Sequence, residues 1–448
     1  MKFGGSSVQN AAMIRRVLSI VANALARAPV LVSSAMGKTT DALVDVATAA
    51  TVGDWEAAVA RIDQIESSHR QAAEELALAT TPVSALLDGL FDELRSLAQG
   101  VFLIRECSPR SRDALLSFGE RLSTAIIAAA ATVTGIDTTL VDARRMVRTD
   151  ANFGAAAPVV EETNRLVRSA VTPAPGRLVV TQGFIGSTED GVTTTLGRGG
   201  SDYSATLIGA ALDADVVEIW TDVSGIMTAD PRVIPEAVSI ATISYDEAAE
   251  LAYFGAKVVH PSTIIPAVDR GIPVLVRNTM QPDALGTRIH TGVASSGVRA
   301  IASKSGVTLI TVRSSRMLNA FGFLHALFEV FDAHRVSVDL VATSEVSVSM
   351  TVDRDAPVGR LLGDLERLGE VSIEHGKSIV CLVGRGLLQD AAFLSDVFGC
   401  VAPSPVRMIA LGSSDINLSL VVSDEHAQSV LRSLHAHLFG PAANPASA

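Results

Sequence analysis

A glycine-rich segment from Thr193 to Asp202, with the sequence TTTLGRGGSD, constrains this chain more than any other feature. Its three glycines surround Arg198, and a helical pattern begins at Tyr203. Glycines before a helix let backbone N–H groups approach an anion, and the helix adds its positive N-terminal end. Arg198 can hold a carboxylate or phosphate through two hydrogen bonds, and Asp202 can cap the helix or position another group. The segment therefore predicts an anion site, with a flexible surface turn as the alternative.

A second glycine-rich segment, Lys2-Phe-Gly-Gly-Ser-Ser-Val, stands at the start of the chain. The adjacent Gly4 and Gly5 allow the backbone to approach a ligand closely. Lys2 supplies a positive charge for a phosphate. The segment predicts a phosphate-binding loop, and an ordinary turn beside a solvated lysine is the alternative.

A loop rich in hydroxyl groups, SSAMGKT from Ser33 to Thr39, follows an apolar strand as a P-loop would. The P-loop pattern requires glycine at the position where Val32 stands, so a P-loop is not favoured. We interpret the segment as a strand-end loop whose hydroxyl groups face a substrate.

Three more segments carry polar residues at the ends of predicted strands or within predicted helices. Ligands of open α/β sheets bind at the carboxyl ends of strands, which favours the loop after the strand at 216–220. A lysine after a tight turn suits a phosphate, and a glutamate inside a long helix suits an ammonium group. A plain loop, a surface lysine and a solvated glutamate are the alternatives. The segments are WTDVSGIMTADPR with Thr221, Asp222 and Arg232, FGAKVVHP with Lys257, and SFGERLS with Glu120.

Short β-branched runs alternate with helical patterns along the first two thirds of the chain, which predicts crossover units and a mostly parallel sheet. Residues 11–28, 55–100 and 113–134 are each predicted to be helical. Gly and Ser cluster at 292–297 and mark a boundary, beyond which a strand–helix–strand–strand–helix pattern occurs twice. We predict domains at 1–295, 296–372 and 373–440, followed by a disordered tail at 441–448.

The composition disfavours several classes of protein. The formal net charge of −12 argues against a nucleic-acid partner. Three widely spaced cysteines do not suit a disulfide framework or a zinc site. The N-terminus shows no apolar signal segment, and the most apolar stretch, 125–133, is too short to span a bilayer. We expect a cytoplasmic protein without a membrane partner and without metal-ligating residues of its own.

Together, these segments resemble those of the aspartate kinases of the amino-acid-kinase family. KFGGSSV is similar to the family's N-terminal signature, TTTLGRGGSDYSA to its most characteristic segment, and the resemblance extends over nearly the whole chain. It implies an amino-acid-kinase-like α/β sandwich with a mostly parallel central sheet, followed by α+β ferredoxin-like ACT domains. It also implies ATP-dependent phosphorylation of L-aspartate to 4-phospho-L-aspartate, the first step of lysine, threonine and methionine biosynthesis, with Mg²⁺ bound mainly by the ATP phosphates.

The resemblance assigns roles to the residues that match the family's motifs. Lys2, Asp202 and Arg198 are expected to be catalytic, with Arg198 gripping a carboxylate and Asp202 orienting the active-site groups. The residues expected to hold aspartate are Ser33, Thr39, Glu120, Arg198 and Ser201. The residues expected to hold ATP are Lys2, Gly4, Gly5, Ser6, Thr221, Asp222, Arg232 and Lys257.

The C-terminal region resembles the effector-binding ACT domain of the lysine-sensitive, single-chain aspartate kinases. The segments MLNAFGFL from Met317 and SVDLVATSEVSV from Ser337 carry this resemblance. It implies feedback inhibition by lysine bound at a subunit interface, and hence a homodimer or a tetramer. A plain strand face with alternating Ser and Val is the alternative. The expected effector-site residues are Met317, Phe323, Leu324, Val338, Asp339, Ser344 and Glu345.

Two other functions remain open at this stage. One is a kinase of glutamate or acetylglutamate, and the other is a non-enzymatic amino-acid sensor with an inactive kinase domain. Relatives usually carry an apolar strand before KFGG, whereas only Met1 precedes Lys2 here. The first strand is therefore expected to be missing, or the start of the sequence to be trimmed.

Overall fold

The protein is described by a computed structural model. It covers residues 1–254, 259–292, 296–318, 321–389, 391–411 and 415–440. The predicted tail at 441–448 and the predicted phosphate ligand Lys257 lie outside the described residues.

The chain divides into two compact units that do not follow simple sequence order. Unit 1 comprises Met1–Ile226, Ala241–Tyr245 and Val258–Gly292. Unit 2 comprises Met227–Ile240, Asp246–Lys257 and Val293–Ala448. Unit 2 therefore contains two segments from within the predicted kinase domain. The predicted domain limits themselves remain predictions.

The core of unit 1 is an eight-stranded sheet. Its strands are β1 (Lys2–Phe3), β2 (Val30–Ser33), β3 (Asp137–Val141), β4 (Arg177–Gln182), β7 (Val217–Thr221), β8 (Thr242–Ser244), β9 (Val274–Asn278) and β10 (Thr287–His290). Strands β5 (Ile185–Ser187) and β6 (Thr193–Thr195) form a separate two-stranded sheet. The strand order is β3-β4-β2-β1-β7-β9-β10-β8. Neighbouring strands are parallel except β9 and β10, which are antiparallel. The predicted mostly parallel central sheet is confirmed.

Strand β1 is only two residues long, yet it lies in the interior of this sheet. It lies between β2 and β7, and the N–H of Val32 donates to the Met1 carbonyl over 2.9 Å. Phe3 is fully buried and stacks on Trp220, with ring centroids 5.8 Å apart. The expectation of a missing first strand is wrong, because two flanking strands and this stacked pair hold the residues that are present.

Unit 1 also contains helices. They are α1 (Ala11–Ala22), α2 (Thr39–Val52), α3 (Trp55–Glu75), α4 (Val83–Ile104), α5 (Pro109–Leu116), α6 (Phe118–Val133), α7 (Val160–Ala170), α8 (Gly200–Ala211) and α10 (Pro261–Asp269). Helix α9 (Tyr245–Tyr253) begins in unit 1, and its remaining residues belong to unit 2. The predicted helices are shorter or divided. The 11–28 helix ends before Ala28, which adopts φ 54° ahead of Pro29, and the 55–100 helix is interrupted at Ala77, with φ 61°.

The consecutive helices α5 and α6 form an apolar run, Pro109–Val133, that is long enough by composition to cross a membrane. Within unit 1, however, 83% of its most apolar window is buried. Leu122, Ile126 and Ile127 are fully buried members of the main hydrophobic cluster. The run is therefore accounted for as a core element of a folded domain.

Unit 2 is built on a six-stranded sheet of antiparallel neighbours. Its strands are β11 (Gly297–Arg313), β12 (Val338–Thr343), β13 (Ser347–Val352), β14 (Glu370–Arg385), β15 (Met408–Leu411) and β16 (Asn417–Ser423). Their order is β12-β13-β11-β14-β16-β15. The long β11 and β14 pair with each other along their whole length. On its other edge β11 pairs with β13 through residues 308–313, and β14 pairs with β16 through residues 377–383.

The helices of unit 2 follow the predicted duplicated pattern. They are α11 (Phe323–Ala333), α12 (Val358–Leu365), α13 (Ala391–Val401) and α14 (Asp424–Phe439). One cluster of buried residues lies beneath α11 and α12, and a second lies beneath α13 and α14. The second cluster also contains Ala229, Ile234 and Ala237 from the inserted segment 227–240. The α+β architecture predicted for the C-terminal region is confirmed.

Candidate active site

A cleft of about 300 Å³ opens at the carboxyl ends of β4, β2 and β1, which is the edge where parallel sheets bind ligands. The loops after these strands supply one wall, and α6 and α8 supply the other. The lining residues are Lys2, Gly5, Ser34, Ala35, Gly37, Thr40, Glu120, Phe184, Gly197, Gly199, Gly200, Ser201 and Asp202. Both glycine-rich segments of the sequence therefore meet in one place.

Gly5 permits two strand-end loops to pack backbone against backbone. A Cβ atom at this position would lie 2.8 Å from the carbonyl oxygen of Gly37 and 3.0 Å from that of Ala35. The N–H of Gly37 donates to the Gly5 carbonyl over 3.0 Å, which joins the loop after β1 to the loop after β2. A larger residue would force these loops apart, so the glycine shapes the cleft.

Lys2 and Asp202 form an ion pair inside the cleft. The Lys2 Nζ lies 2.7 Å from the Asp202 Oδ1, and the two side chains are only 11% and 14% exposed. The pair joins the end of β1 to the first turn of α8. A fixed ammonium in a partly dehydrated cleft can neutralise phosphate charge without reorganising during a reaction.

Glu120 presents a buried carboxylate to the same cleft. Its Oε1 accepts a hydrogen bond from the N–H of Ala35 over 3.1 Å, while its Oε2 has no hydrogen-bond partner among the described residues. Burial raises the pKa of the Glu120 carboxyl to about 8, against the weaker opposing effects of the Ala35 N–H and of Lys2. An unpaired buried carboxylate is costly, so this geometry suits a cationic ligand group.

The first turn of α8 brings its N-terminus to the cleft. Gly199, just before the helix, has φ 70°, and a Cβ there would lie 2.8 Å from the Thr263 side chain. Ser201 and Asp202 follow in the turn where the helix is electropositive. The N-terminus of α8 therefore lines the cleft. The predicted anion site, and the contribution of each residue to substrate binding, remain predictions.

Asp113 is a structural residue of this region that sequence reasoning missed. It is buried, and its carboxylate accepts from the N–H groups of Gly154 and Thr195 over 2.9 and 2.8 Å and from the Thr195 hydroxyl over 2.8 Å. It thereby fixes the strand that leads into the Arg198 loop. An aspartate that follows Arg110 and Arg112 near the start of a helix carried no signal of this in the sequence.

Arg198 lies beside the cleft rather than in its lining. Its side chain is exposed and borders a neighbouring cavity of about 530 Å³. Phe184 and Gly197 line both cavities, so the two spaces adjoin. Phe184 itself adopts φ 66°, and its N–H donates to the Ser204 hydroxyl over 3.0 Å. Phe184 was not singled out from the sequence, since a Gly-Phe pair after a strand carries no specific signal.

The structure places Ser33 and Thr39 just behind the cleft wall. The Ser33 hydroxyl lies 3.2 Å from that of Ser123, and the Thr39 hydroxyl donates to the Met36 carbonyl over 2.6 Å. The cleft is lined by the next residue in each case, which is Ser34 or Thr40. The alternation of side chains at the end of β2 and the start of α2 explains this one-residue difference.

The residues predicted to hold ATP are distributed over both units. Thr221 ends β7 beside β1 in unit 1, and its hydroxyl donates to the carboxylate of the exposed Asp222 over 3.1 Å. Gly4 precedes a short 3₁₀ turn that contains Ser6. Arg232 belongs to unit 2, where its guanidinium pairs with Asp230 at 2.7 Å and is 84% exposed.

The predicted effector residues lie in unit 2, mostly on its surface. Leu324, Ser344 and Glu345 are exposed, and Met317, Phe323 and Val338 are half-buried. Asp339 differs, because its side chain is only 4% exposed and forms an ion pair with Lys304 at 2.8 Å. The structure therefore places one buried carboxylate among otherwise accessible side chains.

Known proteins are similar to this chain in both sequence and architecture. Residues 1–278 match the amino acid kinase family and residues 380–438 match an ACT domain. The lysine-sensitive aspartokinase 3 of Escherichia coli is 37% identical over 98% of each chain. Two crystal structures of E. coli aspartokinase III, one with aspartate and ADP and one with lysine and aspartate, superpose with TM-scores of 0.83 and 0.80, at 37% and 36% identity. They cover 98% of this chain and 99% and 98% of their own lengths. The chain belongs to the amino acid kinase family, and within that family to the aspartokinases.

Proposed function

We propose that the cleft transfers the γ-phosphoryl group of ATP to the side-chain carboxylate of L-aspartate, giving 4-phospho-L-aspartate and ADP. The observation that best supports this proposal is the Oε2 atom of Glu120, which has no hydrogen-bond partner among the described residues. It belongs to a buried carboxylate beside the Lys2–Asp202 pair. It supplies a partner for the substrate ammonium, while Lys2 and the N-terminus of α8 supply positive charge for phosphates. Acetylglutamate has no ammonium group to pair with Glu120, so an acetylated substrate is disfavoured.

The reaction requires that the two substrates be held in position, and it requires no strong base. The side-chain carboxylate of aspartate is already ionised at neutral pH. One of its oxygens attacks the γ-phosphorus, a new P–O bond forms, and the bond to the oxygen that bridges the β- and γ-phosphates breaks as ADP leaves. The nearby positive groups stabilise the charge that develops on the transferred phosphoryl group. We assign Arg198, Ser201 and the neighbouring hydroxyl groups to the carboxylates of aspartate.

We assign nucleotide binding in unit 1 to the loops after β1 and β7. Arg232 of unit 2 remains a predicted nucleotide ligand. Mg²⁺ would arrive with ATP and neutralise part of its phosphate charge. The described residues contain no group of three or more His, Cys, Asp or Glu arranged to hold a metal ion. We assign the ion mainly to the ATP phosphates, with Asp202 as the carboxylate available in the cleft.

We also propose that lysine inhibits the enzyme through unit 2 and that the reaction is the first step towards lysine, threonine and methionine. Support comes from the E. coli relative, which is lysine-sensitive, and from its structure with bound lysine. An assembly of at least two copies is proposed because apolar side chains near the start of α11 face outwards. Leu318 is 55% exposed, Phe321 fully exposed and Leu324 45% exposed.

The test is ADP release measured with aspartate, glutamate and acetylglutamate as acceptors, with and without L-lysine. We expect turnover with aspartate alone among the three, and inhibition by lysine. Equal turnover with glutamate would overturn the substrate assignment. A folded protein that releases no ADP with any acceptor would favour a non-enzymatic amino-acid sensor instead.

A further inference from the structure

Two side chains donate hydrogen bonds to the buried carboxylate of Asp339 in unit 2. The Lys304 Nζ donates to both Asp339 oxygens over 2.8 Å, and the Tyr253 hydroxyl donates to Oδ1 over 2.9 Å. Lys304 also lies 2.7 Å from Asp353 and 5.8 Å from the centre of the Tyr253 ring. Asp339 is thus held by one residue from β11 and one from the end of α9.

Helix α9 is fixed to unit 2 along one stripe of its surface. Asp246 pairs with Arg385 at 3.2 Å, Glu250 accepts from the Asn417 amide over 2.7 Å, and Tyr253 donates to Asp339. These positions are spaced by four and three residues, so they lie on one face of the helix. The three partners belong to β14, β16 and β12 respectively.

The two ends of α9 therefore have different surroundings. Tyr245 at its start belongs to unit 1, where its hydroxyl donates to the Ile272 carbonyl. Tyr253 at its end belongs to unit 2 and lies four residues before Lys257. A change at Tyr253 therefore acts at the end of α9, four residues in sequence before Lys257, which is assigned to ATP.

The charges around Lys304 do not balance. Two carboxylates, Asp339 and Asp353, face one ammonium group, and Glu250 adds a further negative charge near the Tyr253 hydroxyl. Burial, the hydrogen bond to Asp339 and these charges raise the pKa of Tyr253 well above its usual value. The cluster is therefore able to accept a second cationic group.

We propose that Tyr253 is the residue that couples the effector site to α9. An effector ammonium that binds Asp339 replaces the Tyr253 hydroxyl as the donor, and the released Tyr253 frees the end of α9. This inference rests on the proposed lysine inhibition, because it assigns the Asp339 carboxylate to the effector amine. Tyr253 acts as a positioning residue, since it has no contact with the candidate active site in the described structure.

The hydrogen bond of Tyr253 stabilises the effector-free state in this scheme. Removing only the hydroxyl group should therefore favour lysine binding, while the ring keeps its edge contact with Phe254 at 5.0 Å. The Tyr253→Phe variant is expected to bind lysine about five- to twentyfold more tightly than the wild type. Tyr245→Phe is the matched control, because it removes a hydroxyl group at the other end of the same helix.

The experiment measures three quantities for the full-length wild type and both variants. They are ADP release without lysine, lysine binding by calorimetry, and hydrogen exchange of residues 246–253 with and without lysine. We expect lysine to speed exchange at the end of α9 in the wild type and in Tyr245→Phe. In Tyr253→Phe, exchange should be fast already and unchanged by lysine.

The outcomes separate this inference from the proposed function. If Tyr253→Phe binds lysine within twofold of the wild type and shows the same exchange response, the coupling role is overturned even though the kinase activity stands. Lysine that fails to bind the wild type overturns it as well. Absence of aspartate-dependent ADP release overturns the kinase proposal, whereas lysine binding and exchange still decide the role of Tyr253.

Discussion

The Lys2 Nζ lies 2.7 Å from the Asp202 Oδ1, although the two residues are 200 positions apart in the chain. Each comes from one of the two glycine-rich segments, and both side chains are nearly buried. The pair orients the Lys2 ammonium towards the cleft that Glu120 also lines. Because a lysine side chain has four rotatable bonds, a fixed partner is what keeps its charge in position.

The first prediction concerns this pair. Lys2→Met is expected to lower kcat/KM for ATP by about 100- to 1000-fold, because it removes a preorganised positive charge. Asp202→Asn is expected to lower kcat by about 100-fold, since the ammonium remains but is no longer held in place. Steady-state kinetics of ADP release with aspartate in excess measure both effects.

The double variant tests whether Asp202 acts through Lys2. If it does, Lys2→Met combined with Asp202→Asn should be no slower than Lys2→Met alone, because the two residues work as one unit. Losses that multiply would show that they act independently. Asp213→Asn is the control, since Asp213 is 64% exposed and forms only surface ion pairs with Arg168 and Arg270.

Much of the fold follows from the sequence because its signals are local. The predicted strand at 216–220 matches β7 to within one residue, and glycines next to charged residues marked both segments of the cleft. What the sequence does not reveal depends on packing in space. The assignment of 227–240 to unit 2 arises from burial of residues such as Ile234, which look like ordinary loop residues in the sequence.

The site shows the same limit at the level of single residues. Motif positions led to Lys2, Glu120 and Asp202, whose chemistry is visible from residue type and spacing. The lining by Ser34 and Thr40, in place of Ser33 and Thr39, depends on the phase of a strand end and a helix start. A shift of one residue turns a side chain to the opposite face, and sequence patterns rarely fix element ends that closely.

The second prediction compares two glycine-to-alanine changes. Gly5→Ala is expected to lower the unfolding free energy of unit 1 by about 1–3 kcal/mol, because its Cβ would collide with the Gly37 carbonyl. Gly89→Ala lies in the exposed interior of α4, where a Cβ meets open space, and should raise it by about 0.5–1 kcal/mol.

Tryptophan fluorescence during urea unfolding is a suitable measurement for both variants. The chain has two tryptophans, Trp55 and Trp220, and both belong to unit 1. The signal therefore follows the unit in which both changes lie. Equal effects of the two substitutions would contradict the close packing of the two strand-end loops.

The third prediction concerns a buried histidine in α3. His69 is fully buried, its Nδ1 lies 2.7 Å from the Ile65 carbonyl, and burial lowers its pKa to about 4. The unfolded chain protonates near pH 6.5, so stability is complete above that pH and falls as the pH drops from 6.5 towards 4. Between pH 7 and pH 5 this histidine should cost unit 1 about 2 kcal/mol of unfolding free energy.

The His69→Leu variant isolates this effect from all other titrating groups. Urea unfolding followed by tryptophan fluorescence at both pH values gives the loss for the wild type and for the variant. The wild type should lose about 2 kcal/mol more than the variant between pH 7 and pH 5. Parallel losses in the two proteins would mean that His69 is already accessible to protons in the folded state.

The fourth prediction is that aspartate binding releases a proton from Glu120. With a pKa of about 8, this carboxyl is mostly protonated at pH 7 in the free protein. Pairing with the substrate ammonium favours the ionised form, so close to one proton, about 0.9, should leave for each aspartate bound at pH 7. Calorimetry in buffers of different ionisation enthalpy measures this number directly.

The Glu120→Gln variant should release no proton and bind aspartate about 10- to 100-fold more weakly. The control Glu93→Gln, whose side chain is 54% exposed, should match the wild type. Unchanged proton release in Glu120→Gln would show that the ammonium of aspartate is held elsewhere.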